Sequence, residues 1–166
     1  FSALYTLTRP TMKSVTGFNG YSLSVFGQRL VGYCAKDEVC VRLDSDAPSR
    51  SLNVRGFSPV WGADGEHVYY YVRTDNSYAL ERINILTGES FRMLSVHHYP
   101  NAPVFDPATG RTLIVEWDPS EGTTLFTIPP DCVGDIDCRA RKQVIARVSE
   151  PVSNPVYHPS AMYLAF

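Results

Sequence analysis

His97 and His98 stand side by side ahead of Tyr99, Pro100 and Asn101, and His158 lies in a comparable stretch further along the chain. Imidazoles on adjacent loops can share a metal ion or relay a proton, because each offers a lone pair near neutral pH. Paired loop histidines are more commonly ordinary surface residues. His97, His98, Tyr99 and His158 are therefore read as a ligand or partner loop, and no metal is assigned. Asp131, Asp135 and Asp137 could offer oxygens to Ca²⁺, but their spacing does not fit the Asp-x-Asp-x-Asp-Gly loop. A solvated loop is the preferred reading. Arg139, Arg141 and Lys142 form the one local cation cluster, which is read as a solvated hairpin edge rather than an anion site.

The four cysteines fall into two local pairs of equal spacing, Cys34 with Cys40 in CAKDEVC and Cys132 with Cys138 in CVGDIDC. Zinc knuckles place cysteines two to four residues apart and come with a second knuckle or a His pair. Neither pair fits. A five-residue loop can instead return the chain so that the two Cα atoms approach the roughly 5.5 Å of a disulfide. Four buried free thiols is the alternative. Two disulfides imply an oxidising compartment: periplasm, cell surface or secretion.

No self-contained catalytic apparatus is legible. Gly-x-Ser-x-Gly is absent, since Gly20-Tyr21-Ser22-Leu23-Ser24 lacks its second glycine, and so are the P-loop and His-Glu-x-x-His motifs. No cofactor is expected. A formal charge of −2 gives no field to hold nucleic acid, and no apolar run is long enough for a membrane helix. The chain starts at Phe1 without a signal-peptide pattern, so it reads as a processed form or a fragment.

The elements that would carry these residues show a repeat. Ser58-Pro59-Val60-Trp61-Gly62-Ala63-Asp64-Gly65, Ala102-Pro103-Val104-Phe105-Asp106-Pro107 and Asn154-Pro155-Val156-Tyr157-His158-Pro159 each run Pro, Val, aromatic, then a turn. An apolar strand follows each of them. A weaker copy begins at Ser24-Val25-Phe26-Gly27. The aromatics Phe26, Trp61, Phe105 and Tyr157 lie 35, 44 and 52 residues apart, a period expected of strand-built blades. Within the second copy, strands are predicted at 59–61, 67–73, 78–85 and 90–94. In the third they fall at 112–117, 123–128 and 143–148, with an insertion over 129–141. Asp64, Asp106 and Asp118 are expected to fix turns by accepting backbone N–H bonds. Trp61, Phe105 and Tyr157 are expected to be core between blades.

These residues resemble the TolB-type, WD40-like β-propeller repeats, whose signature runs roughly Ser-Pro-x-Trp-Ser-Pro-Asp-Gly before an apolar strand. The resemblance covers 24–166 and implies an all-β fold, a β-propeller of four-stranded antiparallel blades. It is either a four-bladed ring or an excerpt of a larger propeller. The blades would span 21–56, 57–98 and 99–152, with 1–15 as outer strands of a shared or preceding blade and 153–166 as inner strands of the last. Strand 161–166 would pair with 3–8, within one chain or between copies. The function expected is a non-enzymatic extracytoplasmic scaffold that binds protein partners or copies of itself, with no nucleic acid and no membrane insertion. The alternatives are a structural subunit of a surface filament or assembly, and the accessory propeller of a larger serine peptidase whose catalytic residues lie outside this chain.

Overall fold

The structure, a computed structural model, describes residues 4–8, 11–15, 18–44, 46–158 and 164–166, with side chains over 18, 23–44, 46–158 and 164–166. A two-stranded ribbon comes first, β1 (Leu4–Thr8) with β2 (Thr11–Val15). Three four-stranded antiparallel sheets follow, each a meander in sequence order. The first sheet holds β3 (Asn19–Phe26), β4 (Arg29–Ala35), β5 (Glu38–Arg42) and β6 (Arg50–Arg55). The second holds β7 (Phe57–Trp61), β8 (His67–Arg73), β9 (Tyr78–Asn84) and β10 (Ser90–Val96). The third holds β11 (Val104–Phe105), β12 (Thr112–Asp118), β13 (Gly122–Ile128) and β14 (Gln143–Val148). The helix α1 (Asp135–Ala140) interrupts the β13–β14 connection, and a last ribbon pairs β15 (Val156–Tyr157) with β16 (Leu164–Ala165).

The second sheet is covered on both faces, which is why β8 reads as an almost unbroken apolar run. Strand alternation sends Val68 and Tyr70 to one side and Tyr69 and Tyr71 to the other. Val68, Tyr70, Ile83, Ile85 and Trp61 pack against Val31, Val39 and Val41 of the first sheet. On the opposite face Tyr69, Tyr71, Leu80, Leu94 and Val96 meet Ile114, Phe126 and Ile128 of the third. Polar bonds cross the first interface as well: the Trp61 amide donates to Ser24 Oγ at 3.2 Å, the Ser58 amide to Tyr33 Oη at 2.7 Å, and Arg50 to the Ile85 carbonyl at 2.7 Å. The chain crosses from β6 to β7 at Gly56, where a Cβ would stand 2.6 Å from both the Tyr70 ring and the Tyr71 carbonyl. Only glycine fits there.

Both cysteine pairs are disulfide-bonded, with Cα atoms 5.6 Å apart for Cys34–Cys40 and 5.0 Å for Cys132–Cys138. The first staples the β4–β5 hairpin. The second closes the 129–141 insertion, whose short helix the sequence reading did not anticipate. This insertion lies along β10: the Gly134 amide donates to the Arg92 carbonyl (2.9 Å), the Ser95 amide to Asp135 Oδ1 (2.8 Å), and Arg139 to the Ser95 carbonyl (2.6 Å). The open edge of the second sheet is thereby covered, as exposed edges generally must be.

Three expectations are refined. Trp61 is buried between sheets as expected, but Phe105 and Tyr157 are only half-buried. Each sits on a two-residue strand, too short to carry its ring deep between sheets. Phe105 still packs against the cluster between the second and third sheets, meeting Tyr69 edge-on with centroids 4.8 Å apart. The cluster Arg139, Arg141, Lys142 is solvent-exposed at Arg141 and Lys142 as expected, but it belongs to α1 and the residues just after it rather than to a hairpin edge. Arg139 grips Glu116 with two nitrogens and bonds Asp135, Arg141 pairs with Asp131 and Asp137, and Lys142 lies over the Phe126 ring. The three aspartates are thus consumed by arginines and amides. Finally, the expected pairing of 161–166 with 3–8 is not made within one chain between the described residues, and the alternative pairing between copies is a matter for a second chain. Leu4–Thr8 pairs with Thr11–Val15 and Leu164–Ala165 with Val156–Tyr157, in separate sheets. Residues 3 and 161–163 of that proposed pairing lie outside the described residues.

Candidate functional site

In a four-stranded meander the first and third turns leave from one rim, while the second turn and the connection onward leave from the other. The first-turn rim is visible where Phe26 covers Gly65, Ala63 packs beside Gly110, and Tyr157 feels the charges of Asp106 and Arg111. Here the expected turn aspartates sit. Asp64 Oδ1 accepts the amides of Glu66 (2.9 Å) and His67 (3.0 Å), and its Oδ2 lies 2.7 Å from His67 Nδ1. Asp106 accepts the Ala108 amide and the Thr109 hydroxyl at 2.8 and 2.7 Å. Asp118 plays the same part in the β12–β13 turn on the other rim, for the Ser120 amide and hydroxyl.

These bonds need the carboxylate form. Burial alone would raise the Asp64 and Asp106 carboxyls, but the hydrogen bonds outweigh it and hold both below their ordinary value. For Asp118 the Ser120 hydroxyl leads in the same direction. A carboxyl whose folded pKa is lowered contributes stability that is fully present above its unfolded pKa and lost as pH falls through the folded one. The fall in Tm on acidification below about pH 5 should therefore be shallower in Asp64→Asn/Asp106→Asn than in the parent, measured by thermal melts across the acid range. Parallel curves for the two proteins would remove these turns from the acid response.

The other rim carries an aromatic corner, built by a bulge. β7 pairs Phe57 with Tyr71 and Val60 with Tyr69, so three steps on β7 oppose two on β8. The extra residue falls at Ser58–Pro59, with Ser58 in the left-handed region at φ 50°. A bulge re-aims a side chain. Here it turns Phe57 to the same face as Tyr71, with ring centroids 5.7 Å apart and planes 26° from parallel. Tyr99, from the β10–β11 connection, then stacks on Phe57 at 5.4 Å and 18°. Tyr78 closes the corner edge-on, 5.6 Å from each of the two rings. Tyr99 stays 73% exposed. Around these rings lies an open concavity of about 490 Å³, also lined by Asp37, Arg55, Gly56, Val72 and Arg73. Its walls come from four connections of this one rim.

Of the residues singled out in the sequence, Tyr99 lines this concavity and His97 and His98 precede it on the same connection, both exposed. His98 lies close enough to Asp118, in the neighbouring β12–β13 turn, to contribute to the lowering of that carboxyl. His158 is not brought to them. It is exposed directly after β15, on the first-turn rim, so a shared site with His97 and His98 does not form. Among the described residues no group of three His, Cys, Asp or Glu side chains converges as metal ligands. Phe57, Tyr78, Arg55 and Arg73 were missed by the sequence reading; the signal available was Phe57 beside the repeat's Ser58-Pro59. A second hollow, about 380 Å³, lies along 148–153 with Phe166 and holds one charged residue, Glu150. Among the described residues no helix is long and apolar enough to cross a membrane.

No family model and no curated protein sequence matches the chain. Solved structures do. TolB from Acinetobacter baumannii superposes with a TM-score of 0.58 at 16% identity, over 76% of this chain and 31% of that one. The β-propeller domain of the trilobed protease from Pyrococcus furiosus, described as having an open velcro topology, gives 0.59 at 15% identity over 84% and 45%. The tricorn protease gives 0.55 at 16% over 81% and 19%. This chain therefore spans less than half the length of each. At such identities the likeness concerns the fold, and the fold is a β-propeller of four-stranded antiparallel blades.

Proposed function

We propose that this propeller is a non-enzymatic, extracytoplasmic scaffold that docks a protein partner on the rim bearing Tyr99, as a member of the TolB-type repeat proteins. The observation that carries the reading is the exposed Tyr99 ring stacked on Phe57 and walled by Tyr78. Tyrosine and arginine dominate binding hot spots, because they offer large contact area and directed polar tips with little conformational freedom to lose. His97 and His98 would border the partner. The two disulfides support an oxidising compartment.

The test is a displayed-peptide selection on the oxidised protein, followed by affinity measurements on Tyr99→Ala. Selected peptides are expected to lose at least about tenfold in affinity, the lower end of hot-spot behaviour, while Tm stays unchanged because the ring is largely exposed. Peptides that bind Tyr99→Ala as well as the parent would remove the rim from the account. One other reading, a structural subunit joined by strand exchange, has a separate observation in its favour. The β1–β2 and β15–β16 ribbons form sheets of their own, and two-stranded ribbons are marginal alone. A solution mass that rises with concentration would favour it.

A further inference from the structure

Most arginines whose side chains are described have their charge or hydrogen bonds satisfied within the fold. Arg92 pairs with Glu81, Arg139 with Glu116 and Asp135, and Arg141 with Asp131 and Asp137. Arg29, Arg50 and Arg111 donate to the carbonyls of Gly65, Ile85 and Thr127. Arg55 and Arg73 differ, as does Arg147 outside the concavity. Both are exposed, both line the aromatic concavity, and neither has a carboxylate or carbonyl partner among the described residues. Asp37 is the one acid in the lining, so the concavity carries a net positive charge in a chain whose formal charge is −2.

Resting on the reading of this rim as a protein-docking site, we propose that its occupant is an acidic peptide segment. One Asp or Glu side chain lies between the Arg55 and Arg73 guanidinium groups, and an adjacent proline or aromatic ring lies on the open face of Tyr99. Guanidinium favours carboxylate because its planar N–H fork matches the two oxygens. The Tyr78 and Tyr99 hydroxyls, engaged in no hydrogen bond among the described residues, add donors at the ring edges. Arg55 and Arg73 select against basic segments by like-charge repulsion, which the single carboxylate of Asp37 does not cancel. A nucleic acid strand would need a longer track of cations than two arginines facing an aspartate.

Fluorescence anisotropy tests this with a labelled peptide Glu-Asp-Pro-Tyr-Glu-Asp, its amide isostere Gln-Asn-Pro-Tyr-Gln-Asn, and a sulfated oligosaccharide as competitor. The acidic peptide is expected to bind at least about tenfold more tightly at low ionic strength, the scale of a charge-matched contact. That advantage should vanish in Arg55→Gln/Arg73→Gln and at high salt, with Tm unaltered. Tyr99→Ala should weaken both peptides alike. Equal binding of the two peptides overturns the acidic class while leaving the docking rim in place. Displacement by the oligosaccharide, in preference to the peptide, overturns the peptide class. If neither peptide binds, the acidic segment is again overturned. The docking reading falls only if the displayed selection also yields nothing that depends on Tyr99.

Discussion

Replacing Trp61 with alanine is expected to lower the free energy of unfolding by about 3–5 kcal/mol, the usual cost of emptying a large aromatic core site. The ring is 4% exposed and fills the space between Val31, Val39 and Val41 on one sheet and Val68, Tyr70 and Ile83 on the next. Truncation removes the transfer free energy of the indole and leaves a cavity that two ladder-locked sheets cannot close. The Trp61 Nε1–H is buried with no hydrogen-bond partner among the described residues, a cost of about 1–3 kcal/mol that the native ring already bears. Trp61→Phe sheds that cost while keeping most of the volume, so it should lose well under half as much as alanine. Urea unfolding at constant m-value measures both. A loss below about 1 kcal/mol for alanine would place Trp61 outside a packed core and put the Trp61–Val68 register in doubt.

The second large effect is expected from Cys132→Ala/Cys138→Ala, at about 2–4 kcal/mol. Both cysteines are fully buried and belong to the cluster between the second and third sheets. Their loss should therefore loosen packing as well as free a loop. The insertion they close also covers β10, so hydrogen exchange at the Ser95 amide, now held by Asp135, should accelerate more than exchange in β8. Removing Cys34–Cys40 should cost less, because the β4–β5 ladder on either side already fixes that hairpin. Equal losses for the two pairs would mean that the insertion does not brace the second sheet.

The strands were legible because alternation and turn chemistry are local. His67–Arg73 and Gln143–Val148 were read with the bounds they have, framed by Asp-Gly, Asp-Asn and Ser-Glu turns that the chain needs for its reversals. Helix α1 escaped because six residues cover less than two turns and show no apolar period; its register is set by Asp135–Arg139 and Asp137–Arg141 pairs and the disulfide. The aromatic corner escaped for another reason. Asp37, Arg55, Phe57, Arg73, Tyr78 and Tyr99 meet only once two meanders and the connection leaving the second are stacked in the same orientation, and Phe57 faces them only because of a one-residue bulge. Nothing in the spacing of 57 and 99 announces that contact. The histidines drew attention through their chemistry, yet His158 leaves its strand at the opposite rim from His97 and His98, which connectivity decides and residue type does not.

Among the described residues the apolar core comes in two pieces, one on each face of the second sheet, with no residue shared between them. Coupling along such a stack runs between nearest neighbours, so these two interfaces are expected to respond separately, as in a one-dimensional array. The second sheet, clasped on both faces, is expected to hold longer than the neighbour on either side of it. Harm done at the Trp61 interface need not be felt at the Cys132–Cys138 one. The rim at Tyr99 is different, since its walls draw on connections flanking both interfaces: Asp37 and Arg55 on one side, Tyr99 on the other. A partner seated there would bridge two otherwise independent joints, and the array would gain from its ligand a long-range cooperativity that its own core does not supply.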